Sequence, residues 1–471
     1  MGIEFKSTSQ LAVLIKAQEL SPVEIINTCI DRIAALQPTL NAFLDVWTDA
    51  AITNAKLAEE EIFHGKYRGP LHGIPIGFKD LVDVSGTRTT GGSRLLTENI
   101  AKRDATIVSR LRSAGAIPIG KLNLVEFAFG TTGLNPNTGN VKNPWDTSRV
   151  TAGSSSGSAA AVASGMIPLA IGTDTGGSIR MPSALCGIAG FKPTYGRIPR
   201  DGVLDLSWSM DHVGPMARTT EDCALIMNAV ADKDPMNPSS SFEKKPDFIH
   251  QIDSGIRGLK IGVPVDYFFD EFVDYEILKK VKAAINLFAE NGAEIVELHM
   301  PWISKGREIN LGVMVPEAVS VHAEMLARSP DLYTPEVRHR IQSGSNVPAA
   351  NYIRAKQARE WFNQQVTQIM KDIDVLLTPT VPIQAPTIKE CTLSSGNQVG
   401  GSELPMFTSI FNVTGQPSHN IPCGFTKDCM PVGMMITGHP YDDFTVLRTG
   451  YAYEQLTDWH QREPKDIVRL N

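Results

Sequence analysis

Two clusters of serine and glycine hold the residues of this sequence that are best suited to chemistry. Ser154, Ser155 and two further serines precede a run of small residues typical of a helix, and Ser178 follows the pair GG at 176–177 and opens a second helix. The first turn of a helix exposes free backbone N–H groups, and the helix dipole favours negative charge there. A serine hydroxyl in this position has the setting of an acyl-transfer nucleophile, because the oxyanion formed on attack needs such donors.

Other interpretations of the two clusters stay open at the level of the residues. The segment GSSSG at 153–157 also matches GxSxG, in which Ser155 would be the nucleophile, but that arrangement needs an acid and a histidine downstream. A flexible Gly-Ser loop is a further alternative. Phosphate binding is disfavoured because no Gly-Lys-Ser/Thr follows either cluster. The SxxK match at 241–244 lies in a polar segment and is interpreted as a solvated loop.

The serine proton needs a base, and the candidates are a histidine that folds back from a distant position and a lysine. No histidine occurs between His72 and His212. Lys79 lies in the apolar run GIPIGFKDLVDV, where burial would lower the pKa of its ammonium group. A shift from about 10.4 to about 7.5 corresponds to about 4 kcal/mol of differential solvation, which burial can supply. The alternative is an exposed lysine paired with Asp80.

Taken together, these segments resemble the amidase signature family. The resemblance is carried by GSSSG at 153–157, GTDTGGSIR at 172–180 and PSALCGIAGFKPT at 182–194. It extends through LHGIPIGFKD, GKLNLVEFAFG and TGQPSHNIPCGF over most of the chain, whereas positions 231–255 and about 300–370 match loosely. The resemblance implies a Ser-cisSer-Lys triad, with Ser178 as the nucleophile, Ser154 as the bridging serine after a cis peptide bond, and Lys79 as the base.

The resemblance also implies the surroundings of the triad and the reaction. An oxyanion hole would be formed by the backbone N–H groups of Thr175, Gly176, Gly177 and Ser178. The acyl pocket would be lined by Phe129, Gly130 and Thr131. The implied activity is hydrolysis of the C–N bond of a small-molecule acyl amide, and the same acyl-enzyme chemistry would serve an ester or a carbamate. Neither a metal nor another cofactor is implied.

Two departures from the family pattern bear on the substrate. Ala152-Gly153 stands where a Gly-Gly pair is usual. Pro405 stands about where the glutamine-hydrolysing component of the glutamyl-tRNA amidotransferase, which the chain resembles throughout, has its glutamine-recognising Asp, and Arg340 is a candidate for the carboxylate-binding Arg of that component. Loss of the Asp favours a free-standing amidase. A glutaminase subunit of an aminoacyl-tRNA amidotransferase is the alternative, and an idle homologue is disfavoured because every triad position is filled.

The elements that position these residues are predicted from the periodicity of the sequence. Residues 1–65 are expected to form a helical segment, in which SPVE at 21–24 supplies an N-cap and a first-turn proline. From Gly73 onwards, short apolar runs alternate with helical patterns, which predicts an α/β fold. By resemblance, residues 66–471 form one domain with a central mixed sheet flanked by helices on both faces. The polar segment 231–255 is a linker or a surface excursion, and about 300–410 is expected to close over the substrate.

Composition excludes several classes of function. Lys and Arg total 44 against 51 Asp and Glu, a net charge of -7, so no nucleic acid is expected as a ligand. The six cysteines form no CxxC and no Cys-His cluster, which favours a reducing compartment, the cytoplasm. The longest uncharged stretch, 150–173, holds five Ser, four Gly and a Pro, so no membrane span is predicted. A monomer or homodimer is expected.

Overall fold

A central sheet of 11 strands organises the protein, in a computed structural model that describes residues 2–392 and 401–464. The strands of this sheet are β1 (Phe43–Val46), β2 (Pro75–Lys79), β3 (Ile117–Leu122), β6 (Leu169–Asp174), β7 (Ala189–Lys192), β8 (His212–Ala217), β9 (Lys260–Pro264), β10 (Glu294–Leu298), β11 (Val375–Pro379), β12 (Ser418–Phe425) and β13 (Pro431–Gly438). A separate two-stranded ribbon consists of β4 (Lys142–Asn143) and β5 (Asp146–Val150).

The sheet is mixed, as expected. Its strand order is β1-β3-β2-β6-β8-β7-β12-β13-β11-β9-β10. The neighbours β3/β2, β2/β6, β11/β9 and β9/β10 are parallel, and the strands from β6 through β8, β7, β12 and β13 to β11 are antiparallel. Every residue of β2, β3, β6, β8 and β13 is buried. Strands buried at every position are covered on both faces, which confirms the predicted α/β architecture.

The helices that cover the sheet are distributed along the whole chain. They are α1 (Thr8–Lys16), α2 (Pro22–Leu40), α3 (Thr48–Phe63), α4 (Thr106–Ser113), α5 (Ser156–Ala163), α6 (Arg180–Cys186), α7 (Thr220–Val230), α8 (Tyr275–Glu290), α9 (Lys305–Arg328), α10 (Pro335–Gly344), α11 (Ala349–Ile369), α12 (Ile388–Thr392), α13 (Ile410–Val413) and α14 (Asp443–Leu456). None of them, over the ranges that the structure describes, is long and apolar enough to cross a membrane.

The amino-terminal segment is mainly helical, with one strand that the sequence did not predict. Helix α2 begins at Pro22 after the N-cap Ser21, whose hydroxyl accepts a hydrogen bond from the backbone of Val23. Strand β1 pairs antiparallel with β3 at the edge of the sheet. It is four residues long and buries Phe43 alone, so the sequence carries no periodic signal for it. The strand forms because the tertiary fold places β3 beside it.

The polar segment 231–255 runs from α7 towards β9 without a helix or strand. It lies against the rest of the protein, because the backbone N–H of Ser241 donates to the carbonyl of Gly196 at 2.8 Å and Phe248 is fully buried in the core. The strand β9 that follows it joins the same sheet.

Residues 300–410 contribute one strand to the central sheet and several helices that lie outside the sheet. Helices α10 and α11 each pack on α9, whereas β11 lies inside the sheet between β13 and β9. Positions 393–400 of this range, and 465–471 of the predicted catalytic domain, lie outside the described residues.

Candidate active site

Lys79 is the last residue of β2, which lies parallel to β6 in the middle of the sheet. The carboxyl ends of these two strands therefore meet at one edge of the sheet. The Lys79 side chain is fully buried. Its Nζ is 2.8 Å from Ser154 Oγ, 3.0 Å from Ser155 Oγ and 2.7 Å from Thr173 Oγ1. All three polar contacts are hydroxyl groups, which accept from an ammonium or donate to a neutral amine.

The charge state of Lys79 follows from what surrounds it. Burial lowers its pKa to about 7, and the more distant carboxylates of Asp174 and Asp211 oppose that shift. The alternative of an exposed lysine paired with Asp80 does not occur. Asp80 instead lies 3.2 Å from the ammonium of Lys121 on β3. Near neutral pH a substantial fraction of Lys79 is therefore an uncharged amine that can accept a proton.

Ser154 and Ser155 lie in the loop between β5 and α5 and differ in what their hydroxyls do. The peptide bond between Gly153 and Ser154 is cis. The Ser154 hydroxyl contacts Lys79, whereas the Ser155 hydroxyl contacts both Lys79 and the backbone of Thr173. Ser155 Oγ accepts from the N–H of Thr173 at 3.2 Å and donates to its carbonyl at 3.1 Å. Ser155 is fully buried and does not line the adjoining cavity. This position suits a structural role rather than nucleophilic attack on a substrate.

Ser178 lies in the turn between β6 and α6, and this turn is built around a buried carboxylate. Asp174 accepts from the backbone N–H of Gly177 at 2.8 Å and of Ile179 at 3.1 Å. The guanidinium of Arg180 lies 2.9 Å from the same carboxylate, and both side chains are fully buried. Ser178 is thereby held at the wall of the cavity, which it lines.

The ion pair in this turn has a further partner from the carboxyl-terminal half of the chain. Asn412 donates to the Asp174 carboxylate at 2.8 Å and accepts from Arg180 at 2.7 Å. Burial alone would raise the pKa of Asp174, but Arg180 holds it well below its usual range. No role was predicted for these three residues, although Asp174 and Arg180 are charged positions inside an otherwise small and apolar motif. That contrast is the signal that identifies them.

The predicted oxyanion-hole residues form a run of backbone in which one N–H is already engaged. Within the described residues, the N–H groups of Thr175, Gly176 and Ser178 make no hydrogen bond, whereas that of Gly177 is bound to Asp174. Gly177 has a φ of +128°, and a Cβ there would lie 2.0 Å from Thr408 Oγ1, so glycine is required. The Thr408 hydroxyl also donates to the carbonyl of Gly176 at 2.8 Å and steadies the turn.

A cavity of about 650 Å³ opens in front of Ser178. The predicted pocket residues Phe129, Gly130 and Thr131 all line it. The other described residues of its wall are Ala128, Thr175, Gly176, Met181, Leu206, Arg307, Asn310, Leu311, Met314, Val315, Glu336, His339, Arg340, Ser343, Gly344, Val347, Ser402, Pro405 and Ser409. Most of this wall comes from the segment 300–410.

The two positions singled out for their effect on glutamine both reach this cavity. Pro405 and Arg340 line it. Arg340 donates to the carbonyl of Phe129 at 2.6 Å and forms an ion pair with Glu336 at 2.6 Å. Its guanidinium thus has partners within the wall. Among the described residues, no group of three or more His, Cys, Asp or Glu side chains is arranged to hold a metal ion.

Comparison with known proteins identifies relatives along nearly the whole chain. The sequence pattern of the family described as Amidase matches residues 24–447. An amidase of Pseudomonas putida is 41% identical over 470 residues, covering 98% of this chain and 97% of that protein. A component of the glutamyl-tRNA(Gln) amidotransferase of Chloroflexus aggregans is 39% identical, covering 99% of each chain.

A solved structure shows the same similarity in three dimensions. It belongs to a vestigial protein complex described as revealing the evolutionary origins of an s-triazine catabolic enzyme. That chain superposes with a TM-score of 0.90 at 32% identity, and the match covers 96% of this chain and 98% of that one.

Proposed function

The chain belongs to the amidase signature family, and we propose that it hydrolyses the C–N bond of a small-molecule acyl amide through an acyl-enzyme on Ser178. The observation that supports this proposal best is the buried Lys79 amine, 2.8 Å from the Ser154 hydroxyl, beside a cavity that Ser178 lines. A base and two serines beside a pocket are the parts that nucleophilic acyl transfer requires.

In the proposed mechanism, protons move along a relay. Neutral Lys79 takes the proton of Ser154, which takes the proton of Ser178 as its Oγ attacks the carbonyl carbon. The relay then reverses to protonate the leaving nitrogen, and the C–N bond breaks to give the acyl-enzyme and the free amine. A water molecule, activated by the same relay, hydrolyses the acyl-enzyme and releases the acid. An ester differs only in its leaving group and a carbamate also in the group that it leaves on Ser178, so both fit the same steps.

The negative charge of the tetrahedral intermediate would be held by the backbone at 175–178. The N–H groups of Thr175, Gly176 and Ser178 have no partner within the described residues and are available to an oxyanion. Gly177 would join them only if its N–H were shared with Asp174. Phe129, Gly130 and Thr131 would contact the acyl group from the opposite wall.

A glutaminase subunit of an aminoacyl-tRNA amidotransferase is the second candidate, favoured by the 39% identity to an amidotransferase component. Pro405 argues against it, because a proline on the cavity wall offers no charge to the α-ammonium of glutamine. We propose that the chain works as a monomer or homodimer in the cytoplasm, where the buried thiols of Cys29, Cys186, Cys223 and Cys423 would remain reduced.

The test is a panel of acyl amides, anilides and carbamates given to the purified chain, with product measured by chromatography. We expect turnover of at least one amide, and a loss of at least about a thousandfold in kcat for Ser178→Ala, since removal of the nucleophile leaves only binding and the oxyanion donors. The comparison variant is Ser155→Ala, which removes a hydroxyl that does not line the cavity but lies 3.0 Å from Lys79 Nζ, so a smaller loss than for Ser178→Ala is expected. Retention of activity in Ser178→Ala with loss in Ser155→Ala would assign the nucleophile to Ser155.

A further inference from the structure

Helix α9 presents one face to the cavity, and that face changes character along its length. Arg307, Asn310, Leu311, Met314 and Val315 line the cavity and recur at the three- and four-residue spacing of one helix face. The amino-terminal turn of this face is polar, and the next two turns are apolar. The cavity therefore has one end suited to a charged or hydrogen-bonding group and a longer part suited to hydrocarbon.

Arg307, at the polar end, has a donor without an acceptor. Its Nη2 donates to the carbonyl of Ser402 at 2.7 Å, which fixes the guanidinium against the wall. Its Nη1 is buried and has no hydrogen-bond partner among the described residues, and the neighbouring Glu403 carboxylate, whose Oε2 is likewise buried without a partner, makes no ion pair with it. A buried charged donor left without an acceptor is strongly unfavourable, so this atom is expected to bind an oxygen atom of a ligand.

The charged groups around Arg307 leave room for an anion. Burial lowers the pKa of its guanidinium, and Tyr267 and Glu403 oppose that shift without reaching it by a hydrogen bond. Arg340, the other arginine of the wall, already has Glu336 as an ion-pair partner. The charged side chains on the described wall thus sum to one positive charge, located at Arg307, which the Glu403 carboxylate outside the wall offsets in part.

The position of Arg307 relates that charge to the reacting atoms. Asn310, one helical turn further along α9, donates to the carbonyl of Thr175 at 3.1 Å. One turn advances about 5.4 Å along the axis. A group bound at Arg307 therefore lies a short distance from the turn that carries Ser178.

We propose that Arg307 binds a carboxylate of the substrate, so that the preferred substrates are monoamides of short dicarboxylic acids rather than simple alkyl amides. This inference rests on the proposed function, since it names the substrate class of the same site. A carboxylate suits Arg307 better than a neutral carbonyl because hydrogen bonds between a guanidinium and a carboxylate are charge-assisted on both sides. The monoamide would lie with its carboxylate at the first turn of α9 and its amide carbonyl at Ser178.

Kinetics on matched substrates test the inference. For wild type we expect kcat/KM for the best of succinamate, glutaramate and adipamate to exceed that for the corresponding diamide by at least about tenfold. Arg307→Met should lower kcat/KM for the monoamide at least about tenfold more than for the diamide, so that the preference is lost. Arg307→Lys, which keeps the charge and loses the planar fork, should be intermediate. Arg354→Met is the control, because this exposed arginine of α11 does not line the cavity.

Binding separates this inference from the proposed function. In the Ser178→Ala protein, calorimetry should show at least about tenfold tighter binding of the monoamide than of the diamide, and Arg307→Met should abolish the difference. If no amide is hydrolysed and this Arg307-dependent binding is still seen, the carboxylate site at Arg307 stands and the proposed function fails. If amides are hydrolysed but monoamide and diamide are treated equally, or Arg307→Met lowers both alike at an unchanged Tm, the inference is overturned.

Discussion

At the scale of single residues, the partners of two buried lysines decide their roles. Lys121 on β3 lies against the carboxylate of Asp80, whereas Lys79 on the neighbouring strand β2 contacts only hydroxyl groups. Burial lowers the pKa of both lysines, and for Lys121 the adjacent Asp80 opposes the shift directly. Of these two lysines, Lys79 is the one without a carboxylate in contact, and it loses its proton near neutral pH.

The first prediction is a pH limb set by Lys79. Its pKa of about 7 means that the amine is charged, and unable to accept a proton, at lower pH. We therefore expect kcat/KM for a neutral amide to rise about tenfold per pH unit below about pH 7 and to level off above it. The measurement is a kcat/KM profile between about pH 5 and pH 9, and Lys79→Met should reduce activity so far that no limb is seen.

Two other groups near the cavity need controls in that experiment. His339 lines the cavity, and Asp211, whose pKa burial raises to about 6, accepts a hydrogen bond from Thr175 Oγ1 at 2.6 Å. His339→Gln should keep the limb near pH 7, and Asp211→Asn, which removes a carboxylate that opposes the lowering of the Lys79 pKa, should move the limb to lower pH without abolishing it. A limb that vanishes in His339→Gln would assign the base to histidine instead of Lys79.

At the scale of elements, the turn after β6 depends on one buried ion pair. Arg180→Met would leave the Asp174 carboxylate buried with hydrogen bonds from neutral donors alone. Removal of one partner of a buried pair typically costs about 3 to 5 kcal/mol. We expect the free energy of unfolding, from urea titration, to fall by about that amount. Arg328→Met is the control, since its pair with Glu324 is exposed and should leave the urea midpoint unchanged. Equal midpoints for the two variants would contradict the prediction.

Hydrogen bonds to Glu126 hold the start of helix α10 in place. The Glu126 carboxylate is buried and accepts from both the backbone N–H and the hydroxyl of Thr334, the residue before α10, at 2.8 and 2.5 Å. It also accepts from Ser93 Oγ at 2.6 Å. Helix α10 carries Arg340 and much of the cavity wall. A change at the contact between Glu126 and Thr334 that shifts the helix would therefore change the shape of the cavity.

The third prediction concerns Thr334→Val, which keeps the shape of the side chain and removes the hydroxyl donor. A hydrogen bond to a charged group contributes about 1.5 to 3 kcal/mol, so stability should fall within that range. We expect KM to rise about threefold or more while kcat changes less, because the wall moves and the proposed triad does not. Thr53→Val, on the exposed face of α3, is the control. A fall in kcat with an unchanged KM would contradict this account of α10.

At the scale of the whole molecule, the sequence predicts local features such as buried runs and helices. It does not predict contacts between segments that are far apart in the chain. The apolar run around Lys79 and the alternation of strands and helices predict a buried lysine within an α/β sheet. The partnership of Asp174 and Arg180 with Asn412 joins segments more than two hundred positions apart, and no local pattern carries it. The same holds for Arg307, because only the packed helices decide which face of α9 meets the cavity.

The last prediction asks whether the isolated chain treats glutamine as a substrate. The one carboxylate on the described wall of the cavity, Glu336, is paired with Arg340, and Pro405 offers no charge. Glutaramate is glutamine without the α-amino group, so the two differ only by an ammonium that this wall leaves unpaired. A desolvated charge without a partner costs several kcal/mol, and each 1.36 kcal/mol is tenfold in rate.

We therefore expect kcat/KM for glutaramate to exceed that for glutamine by at least about a hundredfold, measured side by side as ammonia release by the purified chain. Pro405→Asp, which places a carboxylate on the wall, should narrow the ratio, and Pro405→Asn is its uncharged control. Similar efficiency on both amides, or glutaminase activity that appears only when amidotransferase partner subunits and tRNA are added, would favour the amidotransferase function. A preference for glutaramate by the chain alone would indicate a free-standing enzyme. The cavity, the proposed triad and the charge at Arg307 that selects the substrate would then all belong to one polypeptide.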